Sequence, residues 1–405
     1  MTQSLDRRTF LGSVTGAGLL GEGALAAAVT DPAAPPPRIE RYVTLGRTGL
    51  RVSDISFGSS SSADPDLVRH ALDRGVNYFD TAESYRGGDA EAAIGEALIG
   101  VRQRVVLSSK TKAWAGDGRH GMMRALEGSL RRLRTDYLDI YFNHAVNEVA
   151  RMRNPEWWEF TELARRQGKI RFRGMSGHGS QLAECLNYAV DQDLVDVVLT
   201  AYSFGQDPDF YDRLRHLFHF VALQPELPKA LDRAKARDVG VIAIKTLMGA
   251  RLNDMRPYES GGASFAQAAF RWVLSSPRVD ALLISMTGKS LIDEYVSASR
   301  EGVAPDRHDL ALLARYAMRQ QARYCRPGCA GCADACPRGV AIAEVLRTRM
   351  YDVDYGDRDL ARADYARLGD GAAACLACRP QDCAGACPHG LPIPQFTRDA
   401  ARRLS

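Results

Sequence analysis

Gly-Val-Asn-Tyr-Phe-Asp-Thr-Ala-Glu-Ser-Tyr, residues 75–85, is a short apolar run that ends in an acid, Asp80, and then a tyrosine, Tyr85. The pattern predicts a β-strand whose carboxyl end carries chemistry. An aspartate at the tip of a buried strand needs a partner to stay charged, and a tyrosine transfers protons near neutral pH only where a cation lowers its pKa. We therefore expect a cation at the end of a neighbouring strand.

Two later strand-like runs end in residues that could act with Asp80 and Tyr85. The run at 104–111 contains Lys110, and the run at 138–144 ends in His144. Lysine is the basic side chain whose pKa shifts readily, whereas arginine stays charged. Arginine otherwise carries the positive charge of this chain, so a lysine at a strand end is an informative signal.

These motifs resemble the catalytic tetrad of the aldo-keto reductases: Phe79-Asp80-Thr81-Ala82 with Tyr85, then Lys110, then Asp139-x-Tyr141-x-x-His144. The resemblance implies hydride transfer between a nicotinamide, NADP or NAD, and a carbonyl or alcohol. It also implies that Tyr85 donates the proton, that Lys110 held by Asp80 lowers the Tyr85 pKa, and that His144 orients the carbonyl. The alternative is a structural ion pair, a loop tyrosine and a core histidine.

The pattern from residue 39 to 303 predicts a (β/α)₈ barrel, an α/β fold. Strands that are apolar on both faces and separated by helices form parallel sheets, and eight such units over roughly 260 residues fit a closed barrel. A β-hairpin at Tyr42–Ser53 should precede the barrel and cover its N-terminal end, as in the family that the chain resembles. A doubly wound sheet is the alternative, but no Gly-x-Gly-x-x-Gly follows the first strand. The strands are expected near Ile55–Phe57, Tyr78–Phe79, Val105–Leu107, Leu138–Phe142, Ile170–Met175, Val195–Ala201, Val239–Ile244 and Ala281–Ser285.

The resemblance also implies a nicotinamide site on the later strands. Three positions depart from the family: Gly177 replaces an asparagine, Leu199 replaces the amide-binding glutamine, and Ile244 replaces the ring-stacking aromatic residue. Leucine cannot make the hydrogen bond of that glutamine. The candidate cofactor contacts, with Lys289 the one for a 2′-phosphate, are Ser176, His178, Lys245 and Lys289.

Eight of the nine cysteines follow residue 320, in two quartets that each end in Cys-Pro: Cys325-x₃-Cys329-x₂-Cys332-x₃-Cys336 and Cys375-x₂-Cys378-x₄-Cys383-x₃-Cys387. They resemble the two-cluster bacterial ferredoxins, in which the last cysteine of each quartet serves the other cluster. The resemblance implies a small, mostly helical domain at 304–405 with two [4Fe–4S] clusters. One cluster would bind Cys325, Cys329, Cys332 and Cys387, and the other Cys375, Cys378, Cys383 and Cys336. Two zinc sites or disulfides are the alternatives.

Residues 1–30 resemble a twin-arginine export signal, with Arg7-Arg8-Thr9-Phe10-Leu11 followed by a modestly apolar stretch and small residues. A proline-rich linker at 31–38 follows. We expect export to the periplasm if the signal works and a cytoplasmic protein otherwise; a disordered tail is the alternative. No apolar stretch reaches the roughly 20 residues of a membrane span, and no basic run with interleaved aromatic residues indicates nucleic-acid binding.

Two functions are compatible with the sequence. The first is an aldo-keto reductase acting on a small carbonyl or alcohol, with clusters that serve electron transfer or structure. The second is an iron–sulfur electron-transfer protein that docks a redox partner protein and whose barrel is vestigial. Nicotinamide delivers two electrons as hydride whereas each cluster takes one, and no flavin motif is evident to convert between them.

Overall fold

The computed structural model describes residues 35–179, 181–204, 226–247, 255–259, 264–300, 302, 304–320, 325, 329, 331–353, 358–369 and 372–405. The predicted signal at 1–30 lies outside the described residues, as does much of the linker at 31–38. Export and the linker therefore stay predictions. Pro37–Ser405 forms one unit by its internal contacts, and all that follows concerns this unit.

Within the described chain, eight parallel strands close into a barrel in sequence order, with the last strand hydrogen-bonded to the first. The predicted (β/α)₈ barrel is confirmed. Every residue of β4 (Tyr78–Asp80), β5 (Val106–Thr111) and β6 (Leu138–Asn143) is buried, because the barrel interior covers one face and the helices cover the other. The barrel strands are β3 (Ile55–Gly58), β4 (Tyr78–Asp80), β5 (Val106–Thr111), β6 (Leu138–Asn143), β7 (Ile170–Gly177), β8 (Val197–Ala201), β9 (Gly240–Ile244) and β10 (Ala281–Ser285).

A β-hairpin covers the N-terminal end of the barrel, as the sequence predicts. It pairs β1 (Tyr42–Thr44) with β2 (Arg51–Ser53) in antiparallel fashion. Gly46, in its turn, has a φ of 45°, and a Cβ on it would lie 2.4 Å from the backbone nitrogen of Gly240. Only glycine allows so close an approach to the start of β9.

Local signals in the sequence explain where several helices begin. The Asp64 side chain caps α1 by accepting from the Asp66 amide, and Ser264 forms a capping box with Gln267 at the start of α8. The described helices beside and after the strands are α1 (Pro65–Asp73), α2 (Asp89–Ala97), α3 (Arg119–Leu133), α4 (Val149–Met152), α5 (Pro155–Arg166), α6 (Leu182–Asp191), α7 (Glu226–Ala236), α8 (Phe265–Leu274) and α9 (Lys289–Val296). None of the described helices is long and apolar enough to span a bilayer.

The C-terminal region is mostly helical where it is described. It contains α10 (Arg307–Gln320), α11 (Ile342–Val353), α12 (Arg358–Ala366) and α13 (Ile393–Leu404). Two small cores hold it together. One packs Val345 and Tyr351 of α11 against α12 and α13, and the other packs Ile342 and Leu346 against cysteines of both quartets. Helix α11 thus contacts the cysteine loops at its start, and the domain boundary at 303/304 stays a prediction.

Candidate active site

Asp80 and Lys110 form a buried ion pair at the carboxyl ends of β4 and β5. Lys110 Nζ donates to Asp80 Oδ2 and, at 2.6 Å, to the Thr81 carbonyl, while Ser108 Oγ donates to Asp80 Oδ1 at 2.6 Å. Each member of the pair is 1% exposed. Burial raises the pKa of Asp80 and lowers that of Lys110, and their mutual attraction opposes both shifts.

Tyr85 lies above this pair. Its ring centroid is 4.8 Å from Lys110 Nζ, and the ring meets that of His144 edge to face with centroids 5.5 Å apart. Tyr85 opens a 3₁₀ turn directly after the loop that follows β4. The four residues singled out from the sequence are therefore gathered at the carboxyl ends of three adjacent strands, where barrel enzymes hold their active sites.

His144 is a neutral imidazole in this site. Burial lowers its pKa well below the ordinary value, and the nearby cations Lys110, Lys112 and Arg151 add to the shift. Its Nδ1 is buried and has no hydrogen-bond partner among the described residues. A neutral histidine with a ring nitrogen that is not hydrogen-bonded within the described residues can orient a substrate oxygen by a hydrogen bond. It carries no charge with which to balance that of another group.

Arg151 is a residue of the site that the sequence did not indicate. It is fully buried on α4, and its guanidinium donates to the carbonyls of Ala113, His144 and Ala145 and to Asn143 Oδ1 at 2.7–2.8 Å. These bonds hold the loop that carries His144. Burial lowers the pKa of Arg151 to about 10. The acceptors are mostly backbone groups, which leave no trace in a sequence.

Ser176 and His178 end β7 but differ in their contacts. Ser176 Oγ accepts from the Ala145 amide at 2.9 Å and so ties β7 to the loop after β6. His178 Nε2 lies 2.7 Å from the hydroxyl of Tyr351, a residue of α11. A Cβ on Gly177 would lie 3.0 Å from the Val146 carbonyl and 2.8 Å from the Leu182 side chain, which explains why a larger residue is absent between them.

The remaining candidate cofactor residues are scattered over the later strands. Lys245 follows β9 with a φ of 57°, and its Nζ is 5.6 Å from the ring centroid of Tyr351. Lys289 is exposed and is the first residue of α9. Leu199 lies in the buried interior of the barrel, where it packs with the apolar core and offers no hydrogen bond.

The C-terminal region closes over the mouth of the barrel through polar contacts. Lys112, just beyond β5, pairs with Asp364 of α12, and Asn147 donates to Glu344 of α11 at 2.8 Å. Arg347 donates to Glu344 at 2.7 Å and lies 3.6 Å from Asp364. Lys112–Asp364 and Asn147–Glu344, the two pairs that join this region to the barrel, are far apart in sequence, so no local pattern predicts them.

No disulfide joins the eight C-terminal cysteines in the described structure. Burial is the main cause that raises the pKa of Cys325, and the neighbouring thiols of Cys329, Cys332 and Cys387 add to it. For Cys375, burial again raises the pKa, and its cysteine neighbours are Cys336 and Cys378. Among the described His, Cys, Asp and Glu side chains, no group of three or more is arranged to hold a metal ion.

Comparison with known proteins identifies the barrel. Residues 56–256 match the aldo/keto reductase family. The uncharacterized oxidoreductase YrpG of Bacillus subtilis is 30% identical over 257 residues, which cover 56% of this chain and 73% of YrpG. Methylglyoxal reductase YeaE of Escherichia coli is 40% identical over 136 residues, 34% of this chain and 44% of YeaE.

A solved structure agrees with these matches. The aldo-keto reductase of Klebsiella pneumoniae in complex with NADPH has a TM-score of 0.53 and 26% identity, and the alignment covers 69% of this chain and 95% of that one. The chain belongs to the aldo/keto reductase family and is an oxidoreductase of that class. The family match ends at residue 256, so the cysteine-rich region lies outside it.

Proposed function

We propose that this protein interconverts a small carbonyl compound and its alcohol with NADP(H) or NAD(H), and that it carries two [4Fe–4S] clusters. The observation that carries the reductase proposal is Lys110 Nζ, which lies between the Asp80 carboxylate and the ring of Tyr85. A phenol beside a buried ammonium group loses its proton more easily, because the negative phenolate is stabilised by the positive charge of the ammonium group.

Each residue of the site has a separate task in this proposal. Tyr85 gives its proton to the oxygen of the carbonyl as it is reduced, and Lys110 stabilises the phenolate that remains. Asp80, held by Ser108, keeps Lys110 charged and in place. His144, neutral and fixed by Arg151, orients the carbonyl oxygen. A bound nicotinamide supplies the hydride.

Two features of the barrel mouth fit a nicotinamide dinucleotide. Helix α9 begins without a side-chain cap and without an acid in its first turn, so its amide groups are available for an anion. Lys289 adds a positive charge at that point. At the end of β7, Ser176 is the hydroxyl that the family resemblance implies for the carboxamide. The NADPH bound by the Klebsiella protein supports the same cofactor class here.

The test of the cofactor proposal is a fluorescence titration of anaerobically purified protein with NADPH and NADH. Lys289→Ala should raise the Kd for NADPH roughly tenfold and leave that for NADH unchanged, because a charge-assisted contact to the 2′-phosphate is lost. The control is Lys229→Ala on α7, an exposed lysine paired with Glu226. If Lys289→Ala weakens both cofactors equally, or neither, the 2′-phosphate assignment is wrong.

The cluster proposal rests on the order of the cysteines and on which thiols are neighbours. Cys387, the last cysteine of the second quartet, is close enough to Cys325 to raise its pKa. Cys336, the last cysteine of the first quartet, is close enough to Cys375 to do the same. A Cβ on Gly331 would lie 2.7 Å from Pro388, so the end of the second quartet packs on the first. This crossed arrangement is the one that two-cluster ferredoxins use.

Iron and sulfide analysis tests the clusters. The protein prepared without oxygen should be brown and hold about eight irons and eight sulfides, and Cys329→Ser should keep about half of each. Cys185→Ala is the matched control, since Cys185 is the ninth cysteine, is buried in α6 and belongs to neither quartet. Zinc without acid-labile sulfide in the wild-type protein would overturn the proposal.

A further inference from the structure

Tyr351 brings a phenol from the C-terminal region into the mouth of the barrel. It is 7% exposed, and its hydroxyl is 2.7 Å from His178 Nε2. Arg347, one helical turn earlier on α11, donates to the same hydroxyl at 3.2 Å. Burial is the main cause that raises the pKa of Tyr351, and Tyr85 is among the groups close enough to contribute. Tyr351 therefore stays protonated and lies near the proposed proton donor.

The hydrogen bond with Tyr351 places a phenol that can donate a proton opposite Nε2 of His178. Burial lowers the pKa of His178 well below its ordinary value, so the ring is neutral and holds a single N–H. The Tyr351 oxygen accepts from Arg347, and its own proton is then available for His178 Nε2. The ring proton of His178 lies on Nδ1 in this arrangement, and Nδ1 can donate to a ligand.

Two buried imidazole nitrogens at the mouth have no hydrogen-bond partner among the described residues: Nδ1 of His144 and Nδ1 of His178. Asn143 and Met175 face each other across β6 and β7, so His178 lies two residues beyond the partner of His144. That offset puts the two Cα atoms ~6.6 Å apart along the strands and ~4.8 Å apart across them. Buried polar groups are rarely left unpaired, and the spacing suits one small molecule with two polar groups.

The charges around His178 favour an anion as the second group. Lys245 Nζ is 5.6 Å from the Tyr351 ring. Burial is the largest cause of the low His178 pKa, and Lys245 adds to it. Arg347 and Lys112 also add to it, but they are already paired with the carboxylates of Glu344 and Asp364. Arg151, close to His144, makes its four hydrogen bonds to carbonyl and amide oxygens and none to a carboxylate. An anionic ligand would gain from Lys245 and Arg151 in a site shielded from water.

We propose that the substrate is a 2-oxo acid or the matching 2-hydroxy acid, whose carboxylate binds His178 Nδ1 while its reacting oxygen lies at Tyr85 and His144. Tyr351 acts as a positioning residue, because its hydroxyl fixes the tautomer and orientation of His178. This inference rests on the carbonyl–alcohol function proposed above. It also gives the C-terminal region a direct part in substrate selection.

Steady-state kinetics of the full chain test this inference with pyruvate and its neutral isostere pyruvamide. The wild-type protein should prefer pyruvate by about 100-fold in kcat/KM, as expected for a charge-assisted hydrogen bond. Tyr351→Phe should raise KM for pyruvate about 10- to 100-fold and change kcat little, and the KM for pyruvamide should rise much less, because a neutral amide gains less from the same hydrogen bond. Tyr137→Phe, at the opposite end of the barrel before β6, is the control and should change neither.

Calorimetric binding of oxamate, a 2-oxo acid analogue that is not reduced, separates this inference from the proposed function. Oxamate should bind the wild-type protein and bind Tyr351→Phe at least tenfold more weakly. His178→Asn, which changes no residue of α11, should show the same loss of oxamate affinity. It replaces Tyr351→Phe as the test if that variant does not fold. Oxamate binding with no carbonyl turnover would overturn the reductase proposal alone. Turnover of neutral aldehydes with no oxamate binding, or equal binding by all variants, would overturn the 2-oxo acid site alone.

Discussion

Tyr85→Phe should lower carbonyl reduction by about 10²- to 10⁴-fold, the contribution that a positioned general acid makes. Phenylalanine keeps the ring that covers Lys110 and meets His144. It removes only the proton that the carbonyl oxygen would receive. The affinity for nicotinamide should change little, so the loss should appear in kcat and in kcat/KM to the same extent.

Single-turnover measurements with NADPH and a small aldehyde would resolve the Tyr85→Phe effect from product release. Tyr137→Phe is again the matched control, because it removes a phenol from the far end of the barrel. Unchanged turnover in Tyr85→Phe would remove Tyr85 from the mechanism. An electron-transfer protein with a vestigial barrel gives a different result, since the wild-type chain would then reduce no carbonyl while its clusters still accept electrons.

The barrel and the gathering of the four candidate residues could be predicted because each depends on a local signal. Asp80, Lys110 and His144 each end an apolar run, and parallel strands bring such ends to one face of a barrel. The family match over 56–256 agrees with that prediction. The scarcity of lysine made Lys110 stand out.

Contacts between distant segments could not be predicted in the same way. Tyr351 meets His178 across 173 positions, and Lys112 meets Asp364 across 252. Neither pair has a spacing that a sequence motif could reveal. Arg151 was missed for another reason: its partners are mainly backbone carbonyls, which every residue has.

The departures from the family pattern have partly physical explanations. Gly177 is packed so tightly against Val146 and Leu182 that an asparagine would require one of them to move. Leu199 belongs to the apolar filling of the barrel. The family resemblance implies that asparagine and glutamine at these positions hold the nicotinamide amide, so we expect cofactor binding here to depend more on Ser176 and Lys289. The titration of Lys289→Ala proposed above measures that shift.

Lys110→Met should damage both turnover and stability. Turnover should fall about as far as in Tyr85→Phe, because the cation that stabilises the Tyr85 phenolate is gone. The free energy of unfolding should fall by about 3–5 kcal/mol, the usual cost of removing one partner of a buried ion pair. The Asp80 carboxylate, which is 1% exposed in the wild type, then keeps Ser108 as its remaining hydrogen-bond donor in the described structure.

The stability loss in Lys110→Met should depend on pH in a defined direction. Burial already raises the pKa of Asp80 above 3.8, and Lys110 opposes that rise. Without the lysine the folded-state pKa rises further, so the folded variant holds a proton that the unfolded chain has released. A carboxyl group whose pKa is higher in the folded than in the unfolded state stabilises the folded state fully below its unfolded-state pKa. That stabilisation is lost as the pH rises through its folded-state pKa. The difference in Tm between wild type and variant should therefore grow from pH 5 to pH 8.

Lys229→Met, which breaks an exposed pair on α7, should change Tm little at either pH. A difference in Tm that is constant with pH, or smaller at pH 8, would show that Asp80 is not left as a buried charge when Lys110 is removed.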